Sequence, residues 1–196
     1  MRIWRSKKTK PDAREIFLVS IRRNLHDLAM EIRNATEADL PEIVAIYNES
    51  IPGGTSTADL EPITVDSRWD WFSKFDPNKR PIWVAVSEEG KVAGCIYLSS
   101  FYGGRRAYDQ TAEVSVYLAS DYQGKGLGTL LKQRMIAACP RLGVEVLLSF
   151  YFDHNQATQR LNNNLGFVEV GHLPEIADVF GEKRGLKIGM LKISAI

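Results

Sequence analysis

The chain reads as one α/β domain on a mixed β-sheet with helices on both faces. Its elements run β-α-α-β-β-β-α-β-α-β-β, and three strands follow one another in the middle with no helix between them. A doubly wound parallel sheet needs a helical crossover at each step, so part of this sheet must be antiparallel. The 196 residues are 44% apolar and 25% charged, the balance of a single folded domain, which excludes disorder throughout.

Each element has a local reason. Alternation in Glu31-Ile32-Arg33 marks a strand over 30–35. Thr36 and Asp39 open a helix over 37–50 with Pro41 in its first turn and Leu40, Ile43, Val44 and Tyr47 on one face. Pro52-Gly53-Gly54 ends it, 55–62 is a loop, and 65–75 is a second helix with Trp69 and Phe72 on one side. Strands follow at 81–86 and 92–101 around the turn Glu88-Glu89-Gly90, and a third at 111–119 after the loop Gly103–Arg106. A glycine-rich loop at 123–128 leads into a helix over 127–139 with Leu127, Leu130, Leu131 and Met135 inward, stopped by Pro140 and Gly143. The rest reads as a strand at 144–152, a helix at 155–165, a strand at 167–172, a polar loop at 174–185 and a closing strand at 186–193.

The net charge of +1 hides an asymmetry. Residues 1–30 hold eight basic and three acidic side chains, and the remainder holds 17 and 21. The near-neutral body excludes a strongly basic nucleic-acid binder. Residues 1–29 are set apart as a basic leader before a domain at 30–196, with Phe17, Ile21, Leu25 and Leu28 on one helical stripe. The leader is open to four readings: a targeting peptide, a partner-binding helix, a peripheral membrane helix, or an upstream in-frame extension with translation starting at Met30. Cys95 and Cys139 form no paired motif, and His26, His154 and His172 show no ligand spacing. A cytoplasmic protein without a metal is therefore expected, and no apolar run is long enough for a membrane span.

The stretch Gln123-Gly124-Lys125-Gly126-Leu127-Gly128-Thr129 follows a strand and opens a helix. The first amides of a helix lack internal partners and sit at the positive end of its dipole. Alternating glycines let the backbone close on an anion, so a phosphate or pyrophosphate is the expected ligand. The Walker spacing and the dinucleotide fingerprint are both absent. A plain strand-to-helix turn would need fewer glycines.

Gln123, Gly126 and Gly128, as Gln-x-x-Gly-x-Gly, resemble the acetyl-CoA pyrophosphate loop of the GNAT superfamily of N-acetyltransferases. Glu113–Leu118 is similar to that family's fourth strand, Asn155–Leu161 with Leu165-Gly166-Phe167 to its later helix and its end, and Ile32–Asp39 to its opening. Thr55-Ser56-Thr57, Arg105-x-Ala107-Tyr108-x-x-Thr111-x-Glu113 and Phe180-Gly181 resemble the phosphinothricin acetyltransferase branch. The likeness spans roughly residues 31–192. It implies a GNAT fold with a splay between strands four and five, and direct transfer of acetyl from acetyl-CoA to the amino group of a small amino-acid-like acceptor such as phosphinothricin, methionine sulfone or methionine sulfoximine. A homodimer is also implied.

The resemblance assigns roles residue by residue. Backbone groups of Val116, Tyr117 and Leu118 would pair with the pantetheine arm, the amides from Gly124 through Lys125, Gly126, Leu127 and Gly128 to Thr129 would hold the pyrophosphate with Gln123 opening the loop, and Asn155 would bind the arm. Lys125 either touches a phosphate or faces water. Glu113 resembles the base that takes the proton from the amine, and without the motif it would read as a charge on an exposed sheet face. The Leu118 N–H would stabilise the oxyanion. Asn162 stands where the branch has a His or Tyr to protonate the leaving sulfur; an Asn can donate an N–H but is no acid. Arg105 and Tyr108 resemble the acceptor-binding pair, the guanidinium gripping a carboxylate, and solvated loop is the alternative for Arg105. Leu60 either lines the acceptor pocket or packs in the core, the latter being preferred. Two rival functions stand beside this one: transfer to a polyamine, aminoglycoside or protein N-terminus, and an acetyl-CoA-binding module with weak catalysis.

Overall fold

The computed structural model describes residues 30–193, so the leader and its amphipathic stripe lie outside the described residues. Seven strands form one sheet: β1 (Met30–Asn34), β2 (Ile82–Ser87), β3 (Val92–Ser100), β4 (Thr111–Leu118), β5 (Val146–Phe152), β6 (Val168–Val179) and β7 (Glu182–Lys192). Their spatial order is β1-β2-β3-β4-β5-β7-β6. Every neighbouring pair is antiparallel except β4 and β5, which run parallel. Among the described residues four α-helices flank the sheet: α1 (Leu40–Glu49), α2 (Val65–Phe72), α3 (Leu127–Ala138) and α4 (Gln156–Asn164).

Strand alternation divides the core into two layers. On β2, Trp83 and Ala85 face the cluster built with Leu127, Leu130, Leu131 and Met135 of α3. Ile82, Val84 and Val86 of the same strand face Ile43 and Ile46 of α1, with Trp71 and Phe72 of α2 packed alongside. All six β2 residues are buried, as a strand covered on both faces must be. Cys95 lies in the α1 layer and Cys139 in the α3 layer, and burial pushes both thiols up to about 12.

The Thr36–Asp39 signal is a true capping box, leading through a short 3-10 turn into α1. The Asp39 carboxylate accepts from the Thr36 amide at 2.7 Å and from both terminal nitrogens of Arg33 at 2.7 and 2.8 Å. These bonds hold its pKa down at about 2.

The expected polar loop at 174–185 is instead the tip of a long hairpin. β6 and β7 pair out to Val179 and Glu182 and turn at Phe180-Gly181. β6 is an edge strand with both faces largely exposed, so polar side chains and Pro174 are tolerated and no apolar alternation announces it. Register shifts at Glu169/Gly171 and Leu173/Ala177 blur the pattern further.

Candidate active site

The parallel pairing of β4 with β5 stops early. Thr111, Ala112 and Glu113 pair with Val146, Leu147 and Leu148, after which the strands diverge. A cavity of about 290 Å³ opens in the gap between Glu113–Tyr117 of β4 and Ser149–Phe152 of β5. The Ala119 amide donates to the Ala93 carbonyl of β3 at 3.0 Å. Peptide groups alternate sides along a strand, so the amides of Tyr117 and Ser115 also turn toward β3. Those of Val116 and Leu118 turn into the gap. Of the three backbone positions expected to meet the pantetheine arm, Val116 and Leu118 turn their amides into the gap and Tyr117 does not; the Tyr117 ring packs 5.0 Å from Tyr47 and 6.3 Å from Tyr97.

The glycine loop is open to solvent at one end of α3. Gly124 and Gly126 take φ values of 70° and 87°, a region that favours glycine. The first helical bond runs from Leu130 N to Gly126 O. Among the described residues the amides from Gly124 to Thr129 have no protein acceptor, the arrangement a pyrophosphate requires. The Gln123 side chain donates to the Leu118 carbonyl at 3.2 Å, tying the loop to the end of β4. Lys125 Nζ stands 5.8 Å from the centre of the Tyr122 ring.

Thr55–Ala58 covers the cavity and is pinned from two sides. Tyr47 Oη meets Thr57 Oγ1 and donates to Asp59 Oδ2 at 2.6 Å. From the other side His154 contacts the Gly54 carbonyl, and Asn155 Nδ2 donates to the Thr55 carbonyl at 2.9 Å. Asn155 Oδ1 caps α4 by accepting from the Thr158 amide at 2.9 Å. The Asn155 side chain therefore lines the cavity while serving the protein's own backbone.

Glu113, the last β4 residue paired with β5, lines the cavity. Its carboxylate has no hydrogen bond or ion pair among the described residues, and burial raises its pKa above the ordinary range. Asn162 is 1% exposed, accepts from Lys132 Nζ at 2.6 Å and donates to Ser149 Oγ at 3.2 Å. Lys132 is 2% exposed and lines the same cavity, and burial lowers its pKa to about 7. Sequence reasoning missed both Lys132 and Ser149. The available signal was a lysine beside Leu130 and Leu131 on a helix whose buried arc runs wide, through Ala138.

The expected acceptor residues stand apart from this cavity. Arg105 and Tyr108 are exposed; the guanidinium lies 5.0 Å from the Tyr102 ring, and Tyr108 packs edge-on against Phe101. Phe101 stacks on Phe150, which lines the cavity, so the pair flanks the rim at one remove. Leu60 is 45% exposed, not core, and shares a separate surface hollow with Pro52, Pro62 and Phe180. Among the described residues no group of three or more His, Cys, Asp or Glu is placed to hold a metal, and no helix is long and apolar enough to cross a membrane.

A seven-stranded sheet with one splayed parallel pair and a glycine loop of free amides matches a known class. The acetyltransferase (GNAT) family model matches residues 40–167, and the chain belongs to that family. It is an acetyl-CoA-dependent N-acetyltransferase. YwnH of Bacillus subtilis (strain 168), named as a candidate phosphinothricin acetyltransferase, is 43% identical over 81% of this chain and 96% of its own. The L-methionine sulfoximine/L-methionine sulfone acetyltransferase of Pseudomonas aeruginosa is 35% identical over 79% of this chain and 89% of its own. The solved phosphinothricin acetyltransferase of Sinorhizobium meliloti, in complex with acetyl-CoA, superposes with a TM-score of 0.79 at 28% identity, covering 85% of this chain and 89% of that one.

Proposed function

We propose that this enzyme acetylates the α-amino group of a small amino-acid-like acceptor by direct transfer in the cytoplasm. The observation that carries the reading is the unpaired, partly desolvated Glu113 carboxylate in the β4–β5 gap. An amine attacks only when neutral, and a carboxylate of raised pKa is matched to take its proton near neutral pH. Bound acetyl-CoA supplies the acyl thioester. Val116 offers it free backbone groups, and the N–H of Leu118, whose carbonyl is taken by Gln123, meets the negative charge that develops on the acyl oxygen. The amides of Gly124 to Thr129 hold the pyrophosphate, with Gln123 bracing the loop and Lys125 beside it. Both cysteines are buried with raised pKa values, which supports direct transfer over an acyl-cysteine route.

The names of the relatives at 43% and 35% identity support amino-acid analogues as acceptors. Arg105 would hold the acceptor carboxylate from the rim through paired hydrogen bonds, with Tyr108 beside it. Release of CoA is expected with phosphinothricin, methionine sulfone or methionine sulfoximine, and R105A is expected to raise the acceptor KM about tenfold or more. Turnover of a polyamine or aminoglycoside instead, with KM untouched by R105A, would move the reading to cationic acceptors. Binding of acetyl-CoA with no turnover of any amine would leave only a binding module.

We also infer a homodimer. The exposed Val168, Val170, Leu173 and Ile176 on edge strand β6 support it. Sedimentation as a monomer at working concentrations would overturn it.

A further inference from the structure

Lys132 is an ammonium donor buried at a reacting centre, with its lone-pair partners supplied by neutral groups. It projects from α3, the helix that begins at the glycine loop, so the element that meets the cofactor phosphates also carries this amine to the β4–β5 cavity. Nζ donates to Asn162 Oδ1 at 2.6 Å and to Ser149 Oγ at 3.2 Å, and lies 5.3 Å from the centre of the Phe167 ring. Among the described residues no carboxylate pairs with it. The titratable groups that share its cavity are Glu113 and Tyr117 on β4 and Tyr151 on β5, while α4 presents only the neutral Asn162 and Thr158. A lysine buried without a counter-ion is costly, and a methionine would fill the volume without that cost. Asn162 and Ser149 spend their polar atoms on fixing its position, which a lysine of purely packing value would not need.

We propose that Lys132, held in place by Asn162 and Ser149, donates the proton that the departing CoA sulfur takes up. The inference rests on the acetyl-transfer reading above. In the step, the acceptor nitrogen forms the C–N bond and gives its proton to the Glu113 carboxylate. The C–S bond breaks, and the sulfur takes a proton from the Lys132 ammonium. Glu113 then holds the proton from the amine and Lys132 is one proton short, so Glu113 releases its proton to water and Lys132 takes one up. Asn162 is on this account a positioning residue. The lowered pKa of about 7 suits an acid that must give up a proton near neutrality and then regain it.

The test uses the full chain with K132M and K132R. Methionine removes the acid, and arginine keeps a charge that does not dissociate. Both variants are expected to lose about 100-fold or more in kcat with acetyl-CoA. The wild-type basic limb of the kcat–pH profile should vanish in both. Much of the loss should return with an acyl thioester whose leaving thiol is more acidic, because that thiolate departs unaided. A second readout needs no acceptor: the thiol of bound CoA, followed by its ultraviolet thiolate absorbance, should ionise at higher pH in K132M than in wild type. Rates within about twofold of wild type in either variant that folds, or an unchanged CoA titration, would overturn the proposal. A wild-type protein that turns over no amine would defeat the functional reading instead, and the CoA titration would still decide whether Lys132 faces the sulfur.

Discussion

Glu113 sits where ionisation is unfavourable, and this has opposite effects on rate and stability. Its pKa is raised in the folded state, so its contribution to stability is complete below the ordinary carboxylate range and is lost as pH rises through the raised value. E113Q keeps the shape and removes the charge. The variant should be more stable than wild type at pH 8, with the gap closing as the pH falls to the ordinary carboxylate range in denaturant titrations. The same variant should lose about 100-fold in kcat while its Kd for acetyl-CoA stays within about twofold. Asp39 has the reverse sign. Held at about 2 by Arg33 and Thr36, it stabilises the fold above the ordinary carboxylate range, and that stabilisation is lost as pH falls through about 2.

At the scale of elements, Asn155 joins two structures with one side chain. Its oxygen caps α4 and its nitrogen holds the loop over the cavity. N155A should cost about 1 kcal/mol from the lost cap and should raise the acceptor KM through the loosened loop. N155D restores the cap but cannot donate to Thr55, so thermal unfolding should recover while KM stays high. Elements with one buried stripe were legible in the sequence: α1 from Leu40, Ile43 and Val44, and the glycine entry to α3 from Gly124, Gly126 and Gly128. The β6–β7 hairpin was legible only at its base, over 167–172 and 186–193; its outer half was not, because an edge strand exposed on both faces carries no alternation to read. The family resemblance pointed to Glu113 and to the backbone of β4, whereas Lys132 meets Asn162 across 30 positions and Ser149 across 17, distances at which no periodicity operates. Arg105 and Tyr108 were placed by motif alone, and their one-ring separation from the cavity depends on the Phe101–Phe150 stack.

At the scale of the whole molecule, one sheet serves two cores. Val84 is fully buried in the α1 layer, and its neighbours Trp83 and Ala85 belong to the α3 layer. Neither layer can lose β2 and keep its floor. V84A should cost about 2 kcal/mol, and the loss should lower the unfolding midpoint of both layers together. Fluorescence from variants retaining Trp71 or Trp83 should trace coincident denaturation curves that overlay far-ultraviolet circular dichroism. Separated curves would mean that the layers unfold independently.

The burial of Cys95 and Cys139 has a bearing on how turnover can be watched. Disulfide dyes react with thiolates that they can reach, and the folded chain presents neither reach nor ionisation at its two sulfurs. A dye that yellows during catalysis therefore reports liberated coenzyme with no background from the catalyst. If the colour runs past the coenzyme released, up to two further equivalents per chain mark molecules that have opened their interior.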